Sequence, residues 1–249
     1  MKPSSKIIGI IGGVGPLAGL DLAAKIVANT KADKDQAHLP FILASLPELI
    51  ADRTAFLLGR QTKNPAEGLI EAARRLKAAG ADLVCIPCNT AHASRIFDHF
   101  ELAAREMGLL VVNMLQETAA YLLSLEVRKI VVLSTLGTYE CGVYRNYLRD
   151  DRMEIYDPGS ELMSMVHEAI YNPDYGIKSR SDRDFSRARA IIEDILVSCR
   201  EKGVELAVLG CTELPLVFEG AEACGLRLVD PATILARALI NQVAPEKLS

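Results

Sequence analysis

Gly80-Ala81-Asp82-Leu83-Val84-Cys85-Ile86-Pro87-Cys88 returns later in the chain as Gly203-Val204-Glu205-Leu206-Ala207-Val208-Leu209-Gly210-Cys211. Each copy has a glycine, an acidic residue two positions on, an apolar run of strand length and a closing cysteine. The offset between the copies is 123 residues. The same offset relates Lys6-Ile7-Ile8-Gly9-Ile10 to Lys129-Ile130-Val131-Val132-Leu133, so each lysine precedes its cysteine by 82 positions. Val111-Val112-Asn113 and Leu228-Val229-Asp230 correspond at a slightly different offset. A shared offset over several features is the mark of an internal duplication.

The segments between these runs read as helices. Pro16 opens one, at the position where proline is favoured. Asn64-Pro65-Ala66-Glu67 opens another with a cap, a proline and an acidic first turn. Leu69, Ala72, Ala73 and Leu76 supply its apolar face, and Gly80 ends it. Phe41–Ser45 and Leu109–Val112 read as further strands, and a helix is expected from Ala91 onward. Strands alternating with helices predict an α/β chain with mostly parallel sheets. The duplication predicts two similar lobes related by a pseudo-twofold, with the active site in the cleft between them. Lobe 1 is expected over residues 1–110 and 228–249 and carries Cys88. Lobe 2 is expected over 111–227 and carries Cys211. Ligands of such sheets bind beyond the carboxyl ends of the strands, where both cysteines fall.

Composition narrows the function classes. The chain has 249 residues, half of them hydrophobic, and a formal net charge of −4. No basic run suggests nucleic acid. No segment approaches the ~20 apolar residues of a membrane span. The polar start Met1–Lys6 and the short apolar run after it do not read as a signal peptide. A cytoplasmic protein, binding neither nucleic acid nor membrane, is expected. Its six cysteines, at 85, 88, 141, 199, 211 and 224, are then expected as thiols.

A lone cysteine closing a buried strand is ordinarily a small core hydrophobe. The duplicated spacing favours chemistry for the pair Cys88 and Cys211. Two like groups of pKa near ~8.5 can serve as one thiolate and one thiol, removing a proton from one face of a carbon and returning one to the other. Both cysteines are expected just before helix starts, where backbone N–H groups and the polar Asn89, Thr90 and Thr212 gather. Those donors suit a carboxylate and the charge that develops as a Cα proton leaves. The other four cysteines read as packing. Cys85-x-x-Cys88 has the form of a metal or redox motif, but no second ligand set accompanies it.

Gly9-Ile10-Ile11-Gly12-Gly13-Val14-Gly15-Pro16 is a glycine-rich turn whose spacing departs from the dinucleotide form. With Gly13 it suits a carboxylate. Its counterpart, Ser134-Thr135-Leu136-Gly137-Thr138, replaces glycines by hydroxyls. His92 reads either as a group tuning Cys88 or as a packing residue. By pattern alone, Arg53 and Lys178 read as surface charges.

Pro87-Cys88-Asn89-Thr90-Ala91-His92 and Leu209-Gly210-Cys211-Thr212-Glu213-Leu214-Pro215 together resemble the aspartate/glutamate racemase family. The opening glycine turn, Asp52-Arg53-Thr54, Tyr175-Gly176-Ile177-Lys178 and Val229-Asp230-Pro231 resemble further segments of it. The resemblance spans nearly the whole chain. It implies two Rossmann-like lobes, one catalytic cysteine from each, and racemisation of aspartate or glutamate without pyridoxal phosphate, metal or any other cofactor. It implies that Asn89, Thr90, Thr138 and Thr212 hold the α-carboxylate and that Arg53 and Lys178 lie near the substrate side chain. It also implies a homodimer. Two departures bear on side-chain specificity: Val14 stands where the family usually has Met, and Leu46-Pro47-Glu48-Leu49-Ile50-Ala51 is unlike the aspartate-specific form. Other readings are a hydantoin racemase, a maleate isomerase, an arylmalonate decarboxylase, a nicotinamide-dependent oxidoreductase or a non-catalytic small-molecule sensor.

Overall fold

A computed structural model describes residues 6–180, 182–218 and 220–249; the polar Met1–Ser5 lies outside them. In chain order the main elements are β1 (Ile8–Gly12), α1 (Pro16–Ala28), β2 (Phe41–Ser45), α2 (Arg53–Leu57), α3 (Pro65–Ala78), β3 (Leu83–Cys85), α4 (Ser94–Glu106), β4 (Leu110–Val112) and α5 (Met114–Leu123). They continue as β5 (Lys129–Ser134), α6 (Leu136–Glu140), α7 (Val143–Tyr147), β6 (Glu154–Tyr156), α8 (Ser160–Tyr171), α9 (Ser186–Glu201), β7 (Leu206–Gly210), β8 (Glu222–Ala223), β9 (Leu226–Val229) and α10 (Pro231–Val243).

The chain divides into two compact units, residues 1–118 with 232–249, and residues 119–231. The first holds a parallel sheet in the order β2-β1-β3-β4. The second holds β6-β5-β7-β9, also parallel, extended by β8 as an antiparallel edge. Without β8 the two orders are the same, which is the duplication expressed as topology. β4 completes the first sheet and β9 the second. The exchanges therefore fall after residues 118 and 231 rather than at the expected 110 and 227.

In both sheets the chain first steps outward to one neighbour, then crosses back to pair on the other side. Right-handed crossovers in opposite directions place their helices on opposite faces. The first strand is therefore covered on both sides, which is why β1 is buried along its whole length and reads as an unbroken apolar run. α1 and α3 both pack on β1. α3 begins as the sequence predicts: the Asn64 side chain accepts from Ala66 N, and Pro65 follows. It ends at Gly80, whose φ of 102° is one that glycine adopts without penalty. In the second unit β5 and β7 pack with α8 and α9 around Val131, Leu133, Met163, Ile192, Leu196 and Leu209.

The reversal of direction leaves a switch point in each sheet, between β1 and β3 and between β5 and β7. Crevices at the carboxyl ends of strands beside such points are where open α/β sheets bind ligands. The glycine turn and the Cys88 segment leave the first switch point. The Thr135–Thr138 segment and Cys211 leave the second. No helix among the described residues is long and apolar enough to cross a membrane.

Candidate active site

The first unit presents Cys88 three residues beyond β3, 6% exposed. Its backbone N–H donates to Ile86 O at 2.9 Å, a tight turn that aims the chain away from the sheet. Asn89 and a short 3₁₀ turn, Thr90–His92, follow, all buried. The His92 ring lies on the carbonyl, not the thiol, of Cys88, with Nδ1 2.8 Å from that oxygen. It stacks on Phe97, and burial holds its pKa down at about 4. A neutral ring must donate to a carbonyl, so His92 pins the turn and carries no charge at neutral pH.

The glycine turn lies on the neighbouring strand end. Gly13 has a φ of 80°, and a Cβ there would come within 2.7 Å of the Leu46 and Pro47 backbone nitrogens. Only glycine fits both the conformation and the approach. Arg53 opens α2, which Asp52 caps by accepting from Ala55 N at 2.7 Å. It is no surface charge: it is 8% exposed, and its guanidinium donates to Val14 O at 3.0 Å across the turn. α2 also packs on the Thr90–His92 turn. The first unit thus gathers Gly13, Arg53, Cys88, Asn89 and Thr90 around one switch point.

The second unit presents Cys211 directly after β7, also 6% exposed. Ser134 pairs with Gly210 in the register, so Thr135 and Cys211 leave the sheet side by side. Thr135 and Thr138 are buried, with hydroxyls 3.3 Å apart. Thr212 is 2% exposed. The Cys211 thiol donates to Glu213 Oε2 at 3.0 Å. The other oxygen of that carboxylate, Oε1, takes the Lys178 ammonium at 2.5 Å. Lys178 rides on the 3₁₀ turn Ile177–Ser179 and also faces the Tyr171 ring. Burial and the Glu213 carboxylate push the Cys211 thiol well above the ordinary range, and Lys178 opposes them. Tyr144 is buried and likewise raised, by burial and then by Asp230 and Cys211.

Three expectations need correction. Neither cysteine is followed at once by an α-helix. After Cys88 the first element is the Thr90–His92 3₁₀ turn, because His92 closes on the Cys88 carbonyl and Ala93 is extended. After Cys211 it is Leu214–Val217, a 3₁₀ turn with Pro215 at its start, which runs into extended Phe218. A helix macrodipole is therefore not what acts on Cys211. Asn89 stands at the cap of the Thr90–His92 turn, but its side chain makes no cap bond, and the residue at the cap of the Leu214–Val217 turn is Glu213 rather than Thr212. Lys178 is not a solvated surface charge: it is paired with a buried carboxylate.

Sequence reasoning passed over Glu213. A signal was present: a carboxylate between a buried strand end and the apolar Leu214-Pro215-Leu216-Val217 must find a partner. The remaining cysteines sit elsewhere. Cys85 is buried in β3 with its thiol 3.7 Å from Gly9 O. Cys199 is a buried residue of α9 that joins the core, its thiol pushed up to about 11 by burial.

A model of the Asp/Glu/Hydantoin racemase family matches residues 11–239. An aspartate racemase of Picrophilus torridus superposes with a TM-score of 0.79 at 28% identity, over 95% of this chain and 94% of that one. A broad specificity amino-acid racemase of Bacillus subtilis is 20% identical over 94% of this chain and 97% of its own. A glutamate racemase of Levilactobacillus brevis is 27% identical over 90% of this chain and 73% of its own. With nearly its whole length matched, both switch points included, the chain belongs to the Asp/Glu/Hydantoin racemase family.

Proposed function

We propose that the chain interconverts the enantiomers of an acidic amino acid, aspartate or glutamate, by proton transfer between Cys88 and Cys211 and without a cofactor. The observation that carries this reading is that two thiols occupy the same place in two duplicated sheets. Each follows the third strand, beside the switch point, with polar groups around it. One thiolate takes the Cα proton, so that C–H breaks and S–H forms. The opposite thiol then gives its proton to the other face of the carbanion, and the pair exchanges roles for the other enantiomer. The step requires the two sulfurs to flank Cα.

The carbanion spreads its charge onto the α-carboxylate. We assign that carboxylate to the donors around the cysteines: Gly13, Asn89, Thr90, Thr135, Thr138 and Thr212. Donors fixed in advance cost no reorganisation as charge develops. Arg53 and Lys178 are assigned to the side-chain carboxylate. An acidic substrate suits those two cations and the named activities of the Picrophilus and Levilactobacillus relatives. The Bacillus relative makes a wider panel worth testing. We further propose a cytoplasmic homodimer. That the described cysteines form no disulfide fits a reducing compartment.

The test is incubation with L-Asp, L-Glu and other L-amino acids in D₂O without added cofactor, following the Cα-H signal by NMR. Exchange of that proton with appearance of the D-enantiomer is expected for the acidic substrates. No exchange with any amino acid under reducing conditions overturns the proposal.

A further inference from the structure

The two thiols do not share one environment. Cys211 meets a carboxylate that is 3% exposed and is held in turn by an ammonium. No hydrogen bond to the Cys88 thiol is found among the described residues, and His92 spends its Nδ1 on the Cys88 carbonyl. We propose that Glu213 is a positioning residue that keeps Cys211 in its thiol form in the free protein, with Lys178 as the countercharge that holds Glu213 in place. This rests on the two-cysteine reading above and adds a starting state to it: from the free protein, the enantiomer that presents its Cα–H to Cys88 meets Cys211 as the acid, and the roles reverse for the other enantiomer.

The geometry supplies the reason. A carboxylate is acceptor-only, so the thiol must donate to it. Losing that proton would set a thiolate against a carboxylate in a buried site, which the low dielectric makes costly. The buried carboxylate itself needs compensation, and Lys178 provides it. The groups around this cluster come from several elements. Lys178 comes from the Ile177–Ser179 turn, Tyr144 from α7 and Asp230 from the end of β9. α9 packs on the Leu214–Val217 turn and brings apolar Ile195 and Leu196 with Cys199.

The proton balance closes. Abstraction breaks Cα–H and forms S–H on Cys88. Delivery breaks S–H on Cys211 and forms Cα–H on the opposite face. The charge then left on Cys211 faces Glu213, with the Lys178 ammonium on the other side of that carboxylate to offset it. A substrate carboxylate that draws Lys178 toward itself would loosen Glu213 as well, so this cation links substrate charge to the state of Cys211.

The experiment is a pH titration of thiolate ultraviolet absorbance on the full chain without substrate. Each protein is read against its own counterpart carrying Cys211→Ser, so that the difference reports Cys211. Glu213→Gln is expected to move the midpoint down by about one unit or more, roughly a tenfold gain in thiolate at a given pH. Lys178→Met is expected to move it up. A packing role alone does not predict opposite signs. An unmoved midpoint, or both variants moving it the same way, overturns the proposal. If Glu213→Gln does not fold, Glu213→Asp withdraws the carboxylate by one methylene and should lower the midpoint by less; no change there overturns it too. The readout needs no turnover. Opposite shifts in a protein that exchanges no Cα-H keep the relay and discard the racemase reading, while exchange with unmoved midpoints does the reverse.

Discussion

The Cys88 half and the Cys211 half have the same strand order and diverge in what surrounds the sulfur. Beside Cys88 the neighbouring turn is glycine, with Gly13 at a φ of 80° against the Leu46–Pro47 backbone. Beside Cys211 the corresponding turn begins at Thr135, whose φ of −69° is ordinary extended backbone. The first half offers peptide groups and an arginine reaching Val14 O. The second offers hydroxyls and an ion pair on the thiol's own hydrogen-bond partner. Duplication kept what the sheet requires, namely strand order and a small residue at the strand end. The loops beyond the carboxyl ends were free to differ, because no ladder bond constrains them.

The comparison can be broken at four points. If the proposed two-thiol proton transfer operates, Cys88→Ala and Cys211→Ala should each lower racemisation by about 10²- to 10⁴-fold, the usual contribution of one acid–base group. Steady-state racemisation measured by chiral chromatography checks this, and a large loss from one variant alone would dissolve the equivalence of the halves.

Gly13→Ala should destabilise the chain by about 2 kcal/mol or more, from the left-handed backbone and the close Leu46–Pro47 approach. Thr135→Ala at the counterpart should cost clearly less, because its backbone is unstrained. Urea unfolding of both variants measures the contrast.

His92 separates the halves by pH. Its pKa falls from 6.5 to about 4 in the folded chain. The unfolded chain therefore binds a proton first as pH drops. The stability from neutral His92 is whole above pH 6.5 and is lost between 6.5 and about 4. Between pH 7 and pH 5 the loss should be about 2 kcal/mol. His92→Gln should remove that part of the pH dependence, as read from urea midpoints at the two pH values.

The smallest effect concerns the helices that lead into the two cysteine strands. α3 has its cap in Asn64, whereas α9 has Phe185 at its cap position and no side-chain cap bond there. Asn64→Ala should cost about 1 kcal/mol. Asp184→Ala, which removes the exposed contact to Ser186, should cost less. Thermal melts of the two variants rank them.

Much of this molecule was legible in one dimension. β2 runs over Phe41–Ser45 as its composition indicates, and the cap, the apolar face and the glycine stop of α3 are those its spacing predicts. The repeated offset predicted two sheets of one design, and the strand orders match. These features are local or periodic: strands and helices answer to residue pattern within a few positions, and a duplication preserves distance along the chain. The site's electrostatics were not legible in that way. Arg53 meets Val14 across 39 positions and Lys178 meets Glu213 across 35. From the sequence both cations look solvated. They become buried partners only once the sheet order sets strand ends side by side. The same holds for the turns after the cysteines, where His92 closing on a carbonyl and Pro215 opening a 3₁₀ turn replaced the expected helices. Sequence by itself determined the elements, their duplication and the two thiols at the strand ends. The tertiary structure alone decided which charge meets which thiol, because a buried ion's partner is chosen by proximity in space, and topology sets that proximity.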